Sequence, residues 1–241
     1  MRNRFFIESP LIPGEIVRLT GEELHHAVRV ARCRDGESVE LFNQDAVNAT
    51  AVIRALASDH AELTVMAIEP SREPARSIEL AVALIHPDRF ELVLQKGCEL
   101  GVSRFIPMST ARTEVRAERV AGRLQRWKKI ILEATKQSGR SRCAAITPVV
   151  PLAQALSVEG IKVLFDAEAG GDAVVSPTAG VRLFIGPEGG WSDEELRLAR
   201  DAGCLMRSLG PRRLRAETAA IAAVVLAASE GGDLSQGVSK R

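Results

Sequence analysis

The pattern of hydrophobic and polar positions changes once along the chain. Before the change, apolar and polar residues partly alternate in three short segments, which is typical of strands with one buried face. These segments are Glu37–Phe42, Val47–Ile53 and Ala61–Ile68. One short helix is predicted ahead of them, because Thr20 and Glu23 have the spacing of a capping box. The pattern therefore predicts a small β-barrel over residues 1–70.

Residues 71–77 contain prolines, serines and charged residues between apolar runs, and they predict a linker. After the linker the strands are continuous apolar runs, as in parallel sheets that are covered on both faces. These runs are Glu79–Ile85, Arg104–Ser109, Lys162–Asp166 and Arg182–Gly186. Helical segments separate some of them. Residues 78–241 are therefore predicted to form an α/β domain.

Two of the predicted helices differ in how their apolar residues are arranged. Over Ala117–Ser138, the apolar residues Val120, Leu124, Trp127 and Ile131 fall on one face. The final helix, Glu217–Glu230, is apolar on nearly all sides. A helix of that kind must be buried, either in a core or against another subunit.

The composition is ordinary for a globular protein, with 46% hydrophobic and 26% charged residues. No apolar run reaches the roughly 18 residues of a membrane span. The N-terminus also lacks the apolar core of a signal peptide. The four cysteines are scattered, which favours buried free thiols over a zinc site or disulfides. We expect a cytoplasmic protein without a metal and without a membrane partner.

The net charge is only +1, but the basic residues are clustered. From Arg112 to Arg142 there are ten Lys and Arg against three Asp and Glu. From Arg207 to Arg215 there are four arginines and no acidic residue. Such clusters can bind phosphates, although a solvated helix face is an equally simple explanation for any one arginine.

The stretch IGPEGGWSDEEL, Ile185–Leu196, has the pattern of a buried strand, a glycine turn and a helix start. Ser192 and Glu195 form a second capping box at that start. The residues do not fit a P-loop, which needs a lysine and a hydroxyl after its glycines. The spacing does not fit a dinucleotide fingerprint, and no G-x-S-x-G hydrolase elbow is present.

Two further segments, Leu164–Gly171 and Leu209–Ala219, also follow strand-like runs. In a parallel sheet, the loops after the strands meet at the carboxyl edge, where α/β proteins bind ligands. The glycines in these loops would let the backbone approach a flat ligand such as adenine. The three loops therefore predict a ligand site, but taken alone they do not identify the ligand.

The pair IGPEGGWSDEE and LGPRRLRAETAA resembles the paired signature of the RsmE family. Four more segments match that family in order: RFFIE, HHAVRVARCRDGESVELF, QKGCELGVSRFIP and RWKKIILEATKQSGR. Members are SPOUT-class methyltransferases that form N3-methyluridine in 16S ribosomal RNA, at uridine 1498, in the 30S subunit. The resemblance implies an N-terminal PUA-like β-barrel, a C-terminal trefoil-knotted domain and a homodimer.

The resemblance also implies S-adenosyl-L-methionine as the cofactor, held by the loops of the knot. The implied cofactor contacts are Phe165, Gly186, Gly190, Leu209, Gly210, Pro211, Arg212, Arg213 and Leu214. The implied RNA contacts are Arg4, His26, Arg32, Arg112, Lys136 and Arg140. The family usually has an aliphatic residue in place of Arg213 and a glutamate in place of Lys136, so both positions add positive charge here.

Methylation of uracil N3 requires removal of its proton. Arg215 is always protonated and is therefore a poor base, but it is a good donor to a uracil oxygen on which charge develops. Glu217 and Glu188 are the candidate bases, although Glu217 could also serve only to stabilise the start of the last helix. Two alternatives remain: a SPOUT methyltransferase that acts on another RNA or on ribose, and an inactive RNA-binding assembly factor.

Overall fold

A computed structural model describes residues 2–115, 120–169 and 179–235, and the chain forms two compact units. One unit extends up to Glu73 and also includes Thr135–Cys143. The other holds Pro74–Ala134 and the residues from Ala144 onward. The sequence pattern does not indicate that Thr135–Cys143 belongs with the N-terminal unit.

The N-terminal unit is built on a five-stranded sheet in the order β1-β3-β4-β5-β2. The strands are β1 (Arg4–Phe6), β2 (Ile16–Leu19), β3 (Ser38–Phe42), β4 (Asn48–Leu56) and β5 (Ala61–Glu69). β1 and β3 are parallel and the other pairs are antiparallel. Two irregularities in the pairing of β4 with β5 help the sheet to curl. The predicted PUA-like β-domain is confirmed, in the form of a curled half-barrel around a core of residues such as Phe5, Leu41 and Leu63.

The short helix α1 (Gly21–His25) begins where the sequence predicts it, but without the predicted capping box. Thr20 is the N-cap, yet its side chain accepts no hydrogen bond from the helix. Glu23 instead accepts a bond from the Phe6 amide at 3.1 Å and pairs with Lys136. A π-helical turn, His26–Val30, follows α1.

A buried arginine holds the N-terminal unit together. Arg4 is 8% exposed, and its guanidinium forms an ion pair with Glu40 at 3.0 Å. It also donates to the Asn48 side chain at 2.7 Å and to the backbone oxygens of Thr135 and Arg140 at 3.1 and 2.7 Å. Arg4 therefore joins β1 and the neighbouring strands to the returning segment Thr135–Cys143.

The second unit is built on a parallel sheet in the order β12-β10-β11-β6-β7-β8, with β9 also paired to β7. The strands are β6 (Ile78–Ala83), β7 (Val102–Ser109), β8 (Ala145–Ile146), β9 (Val150–Pro151), β10 (Ile161–Phe165), β11 (Val181–Ile185) and β12 (Leu205–Arg207). All four predicted apolar runs are strands of this sheet, with ends shifted by one or two residues.

Helices α2 (Pro87–Glu99), α3 (Leu124–Ser138), α4 (Leu152–Leu156), α5 (Asp193–Asp201) and α6 (Ala216–Glu230) accompany these strands. From β12 at one edge the chain returns to α6, which packs on β6, β11 and α2 near the middle of the sheet. This return path agrees with the predicted SPOUT fold. A 3-10 turn, Ala121–Arg123, leads into α3, and residues 117–119 of the predicted long helix lie outside the described residues.

Several residues of the basic cluster are paired within the protein. Arg123 and Arg126 of this cluster both contact Glu91, and the hydrogen bond from Arg126 lowers the pKa of the Glu91 carboxyl. Lys136 pairs with Glu23, as described above. The uneven charge distribution in the sequence therefore overstates the free positive surface.

The four cysteines all lie in the described residues and do not form disulfides with one another. Cys33, Cys98 and Cys204 are buried and Cys143 is half-buried. Burial raises the pKa of Cys204 to about 11, so this thiol stays protonated at neutral pH. In the described part of the chain, no helix combines the length and the apolar character needed to span a membrane.

Candidate cofactor and catalytic site

The three loops that follow β10, β11 and β12, which we call the signature loops, leave the sheet side by side. β10 lies between β12 and β11, and Phe165 is in register with both Ile185 and Arg207. The three strands therefore end at the same level, and the loops that follow them share one edge. The sequence predicts this meeting of the loops from their positions after strands.

These loops enclose a cavity of about 560 Å³, within the range of pockets that hold ligands the size of a cofactor. All nine positions that the resemblance implies as cofactor contacts line it: Phe165, Gly186, Gly190 and Leu209–Leu214. Sequence reasoning missed other lining residues, among them Asp166, Glu168, Trp191 and Asp193. Trp191 and Asp193 stand within the quoted signature and could have been proposed from it.

A buried tryptophan fixes the glycine loop after β11. Trp191 is 5% exposed, and its Nε1–H donates to the Phe165 backbone oxygen at 2.9 Å. A Cβ added at Gly186 would lie 2.9 Å from Cε2 of this ring. Gly186 is therefore required by packing inside the protein, and the expected close approach of a ligand is not needed to explain it. Gly190 has a φ of +71°, which favours glycine at the turn.

We expect Gly186→Ala to destabilise the protein by about 1–3 kcal/mol, because the Trp191 ring must move to admit the methyl group. Since that ring is tied to Phe165, the cavity should deform and ligand affinity should fall. Thermal unfolding and calorimetric titration measure the two effects. Gly180→Ala is the matched control, because its Cβ would meet Ser77 at an ordinary 3.6 Å. Equal behaviour of the two variants would contradict this explanation.

The predicted capping box at Ser192 and Glu195 is confirmed. The Ser192 hydroxyl accepts from the Glu195 amide at 3.2 Å, and the Glu195 carboxylate accepts from the Ser192 amide at 2.8 Å. The second oxygen of Glu195 accepts from the Ala111 amide at 2.8 Å, and Arg112 donates to the Gly189 oxygen at 3.1 Å. The loop after β7 is therefore held against the glycine loop, and Arg112 lines the cavity.

The three catalytic candidates lie in different environments. Arg215 is the exposed N-cap residue of α6. Glu217, in the first turn of α6, is 9% exposed, and its Oε2 has no hydrogen-bond partner among the described residues. Glu188 lines the cavity and is exposed. Arg89 of α2 contacts both carboxylates, at 3.1 Å for Glu188 and 3.8 Å for Glu217, and the sequence analysis missed it.

Arg213, where the family usually has an aliphatic residue, is exposed and donates to the Glu188 backbone oxygen at 3.3 Å. This bond joins the glycine loop to the segment Leu209–Leu214. The extra charge at Arg213 therefore has a partner within the site.

The residues that the resemblance implies as RNA contacts divide into two groups. Arg4, Lys136 and Arg140 are buried and engaged within the N-terminal unit, so their surroundings support a structural role. Arg32 and Arg112 are exposed. His26 is half-buried, with its ring edge against Phe5.

Comparison with known proteins gives a consistent result. A family described as RNA methyltransferase domain matches residues 71–228, and one described as RNA methyltransferase PUA domain matches residues 19–66. The ribosomal RNA small subunit methyltransferase E of Bacillus subtilis is 30% identical over 240 residues, covering 92% of this chain and 94% of that protein.

Two solved structures are also similar. The ribosomal RNA small subunit methyltransferase E of Neisseria gonorrhoeae, bound to S-adenosyl methionine, has a TM-score of 0.88 and 29% identity, covering 95% of this chain and 98% of its own. The putative methyltransferase Lpg2936 of Legionella pneumophila, in complex with the same cofactor, has a TM-score of 0.85 and 34% identity over 95% of this chain and 98% of its own. Sequence, fold and the arrangement of the signature loops thus agree, and the chain belongs to the RsmE family of RNA methyltransferases.

Proposed function

We propose that this protein transfers a methyl group from S-adenosyl-L-methionine to N3 of a uridine in 16S ribosomal RNA, the family site being uridine 1498. The observation that carries the proposal is the single cavity that brings together all nine predicted cofactor positions. We further propose that it acts in the cytoplasm on the assembled 30S subunit.

The residues of the cavity suit this cofactor. Gly210 has a φ of +96°, and a Cβ added there or at Gly190 would meet no atom within 4 Å, so both positions leave open space. The carboxylates of Asp166, Glu168 and Asp193 can face the positive charges of the cofactor. When bound, S-adenosyl-L-methionine supplies an electrophilic methyl group on a sulfonium centre.

The site residues would act on the uracil ring. Arg215 is exposed beside the cavity-lining residues Leu214 and Ala216, and a guanidinium there can donate to a uracil oxygen as the ring loses its N3 proton. Placing the uracil and the cofactor in line supplies much of the remaining rate.

Methylation of small ribosomal subunits from cells that lack this protein tests the proposal. The purified chain is incubated with labelled S-adenosyl-L-methionine, and the labelled nucleoside is identified by mass spectrometry. N3-methyluridine is the expected product. A methylated ribose would overturn the base specificity, and cofactor binding without any labelled ribosomal RNA would overturn the proposed substrate.

The π-helical segment of the N-terminal unit is the proposed RNA surface. Arg29 within this segment and His25, Arg32 and Arg34 beside it are exposed, and Arg32 has a φ of +53°, a conformation that residues other than glycine seldom adopt. A segment this basic and exposed can contact phosphates.

We expect Arg32→Asn to weaken RNA binding and to reduce the salt dependence of the binding constant by about one unit of slope, because one phosphate contact is lost. Asparagine tolerates the positive φ, so the backbone is preserved. Arg18→Ala is the control, since Arg18 is paired with Glu62 at 3.0 Å. Filter binding over a salt series measures the slope, and an unchanged slope would remove Arg32 from the RNA surface.

We also propose a homodimer. One face of α6 is buried within the chain, at positions such as Ala220, Val224 and Ala227, while Val225 on the other side is 38% exposed. Leu92 of α2, the helix that packs on α6, is 39% exposed. A carboxylate in this apolar surface should prevent association. Val225→Glu is expected to sediment as a monomer where the wild type sediments as a dimer.

A further inference from the structure

An arginine of α2, Arg89, contacts two carboxylates of the site. The Arg89 guanidinium lies 3.1 Å from Glu188 Oε1 through Nη1, and 3.8 Å from Glu217 Oε1 through Nε. It therefore bridges an exposed carboxylate of the glycine loop and a buried carboxylate of α6. Each of the three residues belongs to a different segment of the second unit.

The two oxygens of the buried Glu217 carboxylate differ in their contacts. Glu217 Oε1 faces Arg89, and Oε2 is buried without a hydrogen-bond partner in the described residues. A buried acceptor without a donor costs free energy, so this oxygen is suited to an incoming donor. The N3–H of a uracil is a donor of that kind.

We propose that Arg89 is a positioning residue that fixes Glu217 so that Oε2 accepts the proton from uracil N3. This inference rests on the proposed function. The N3 lone pair forms the new bond to the methyl carbon, and the carbon–sulfur bond breaks with its electron pair remaining on sulfur. The N3 proton passes to Glu217 Oε2, which leaves both the methylated uracil and the carboxyl neutral.

Among the described residues, Arg89 is the charged side chain that forms an ion pair with Glu217. The strands below α6 end in apolar residues, Ala81–Ala83 of β6 and Leu183–Ile185 of β11. The charged residues of these strands, Glu79 and Arg182, pair with each other at 2.8 Å. Glu188 of the glycine loop contacts Arg89, which in turn contacts Glu217. The contact with Arg89 at 3.8 Å is therefore the described ion pair that can orient the Glu217 carboxylate.

The test uses single-turnover methylation of small ribosomal subunits by the full chain, over a range of pH. Arg89→Met is expected to lower the rate constant roughly 10- to 100-fold near neutral pH, since a misplaced base costs that much. The defect should shrink as the pH rises, because uracil N3 then ionises without help. Glu217→Gln should show the same pH signature, and Arg89→Lys should restore part of the rate. Affinity for S-adenosyl-L-methionine should not change.

A matched control is Lys96→Met on the same helix, since Lys96 pairs with Glu99, three residues away, at 2.9 Å. It should behave as the wild type. A fully active Arg89→Met, or a defect of equal size at every pH, would overturn the inference. If Arg89→Met does not fold, Arg89→Gln and Arg89→Lys are compared over the same pH range under the same criterion. A wild-type chain that binds the cofactor but forms no N3-methyluridine would overturn the proposed function and this inference with it.

Discussion

Replacing Arg215 by alanine should reduce the single-turnover rate of methyl transfer by about 10²–10³-fold, the usual effect of removing one donor to a developing oxyanion. Affinity for S-adenosyl-L-methionine should remain near that of the wild type, because Arg215 lies outside the lining of the cavity. The comparison of rate with cofactor affinity therefore separates a role toward uracil from a role in cofactor binding.

The fold should tolerate this change. The Arg215 side chain is exposed and makes no capping hydrogen bond to α6, while its backbone oxygen accepts from the Ala219 amide at 2.8 Å. Alanine keeps that backbone bond, so the stability should change by only about 0.5 kcal/mol. Arg197→Ala, an exposed arginine on α5, is the matched control. Near-normal methylation by Arg215→Ala would remove the residue from the catalytic site.

The largest expected effect on stability is that of Arg4→Ala. The substitution removes four interactions of a buried guanidinium. Three neutral acceptors lose this donor, and Glu40 keeps the longer contact with the exposed Arg72 at 3.5 Å. Breaking a buried charged pair by removing one partner costs about 3–5 kcal/mol. For a protein of this size, the melting temperature should fall on the order of 10 °C.

Unfolding measurements on a lysine variant separate the contribution of the Arg4 charge from that of the guanidinium geometry. Burial lowers the pKa of Arg4 while Glu40 opposes that shift, and the guanidinium remains protonated at neutral pH. Lysine has the charge but not the planar fork, so Arg4→Lys should recover only part of the loss. Arg18→Ala removes an exposed pair, and it should cost no more than about 1 kcal/mol in urea unfolding. An Arg4→Ala protein as stable as this control would contradict the structural role.

Local patterns predicted much of the second unit. Continuous apolar runs located its main strands, and the glycine-containing segments that follow strand-like runs indicated where the loops meet. The same reasoning failed for one of two identical spacings. Ser192 and Glu195 form a capping box, whereas Glu23 is recruited by Lys136, which lies 113 positions away in the chain. A local pattern carries no information on such a distant partner.

The candidate site, too, could be predicted only where its residues belong to short motifs. The glycines and arginines of the signature loops could be identified from short motifs and their resemblance to a family. Arg89 could not be identified in this way, because its role depends on Glu188 and Glu217. The fold brings these carboxylates to it from positions 99 and 128 residues later in the chain (188 − 89 and 217 − 89). Arg4, Lys136 and Arg140 are implied as RNA contacts by the resemblance, and only their burial in the structure shows how they are engaged.

The return of Thr135–Cys143 to the N-terminal unit has a consequence for how this protein can be divided or recombined. A fragment cut at the linker would lose the backbone oxygens that Arg4 binds and the Ser141 hydroxyl that accepts from Asn48 at 2.6 Å. The two units are therefore not separable by a single cut, and grafting the first onto another enzyme would require a transplant of two pieces of chain. An exchange of the N-terminal unit would therefore have to include the nine residues Thr135–Cys143 as well.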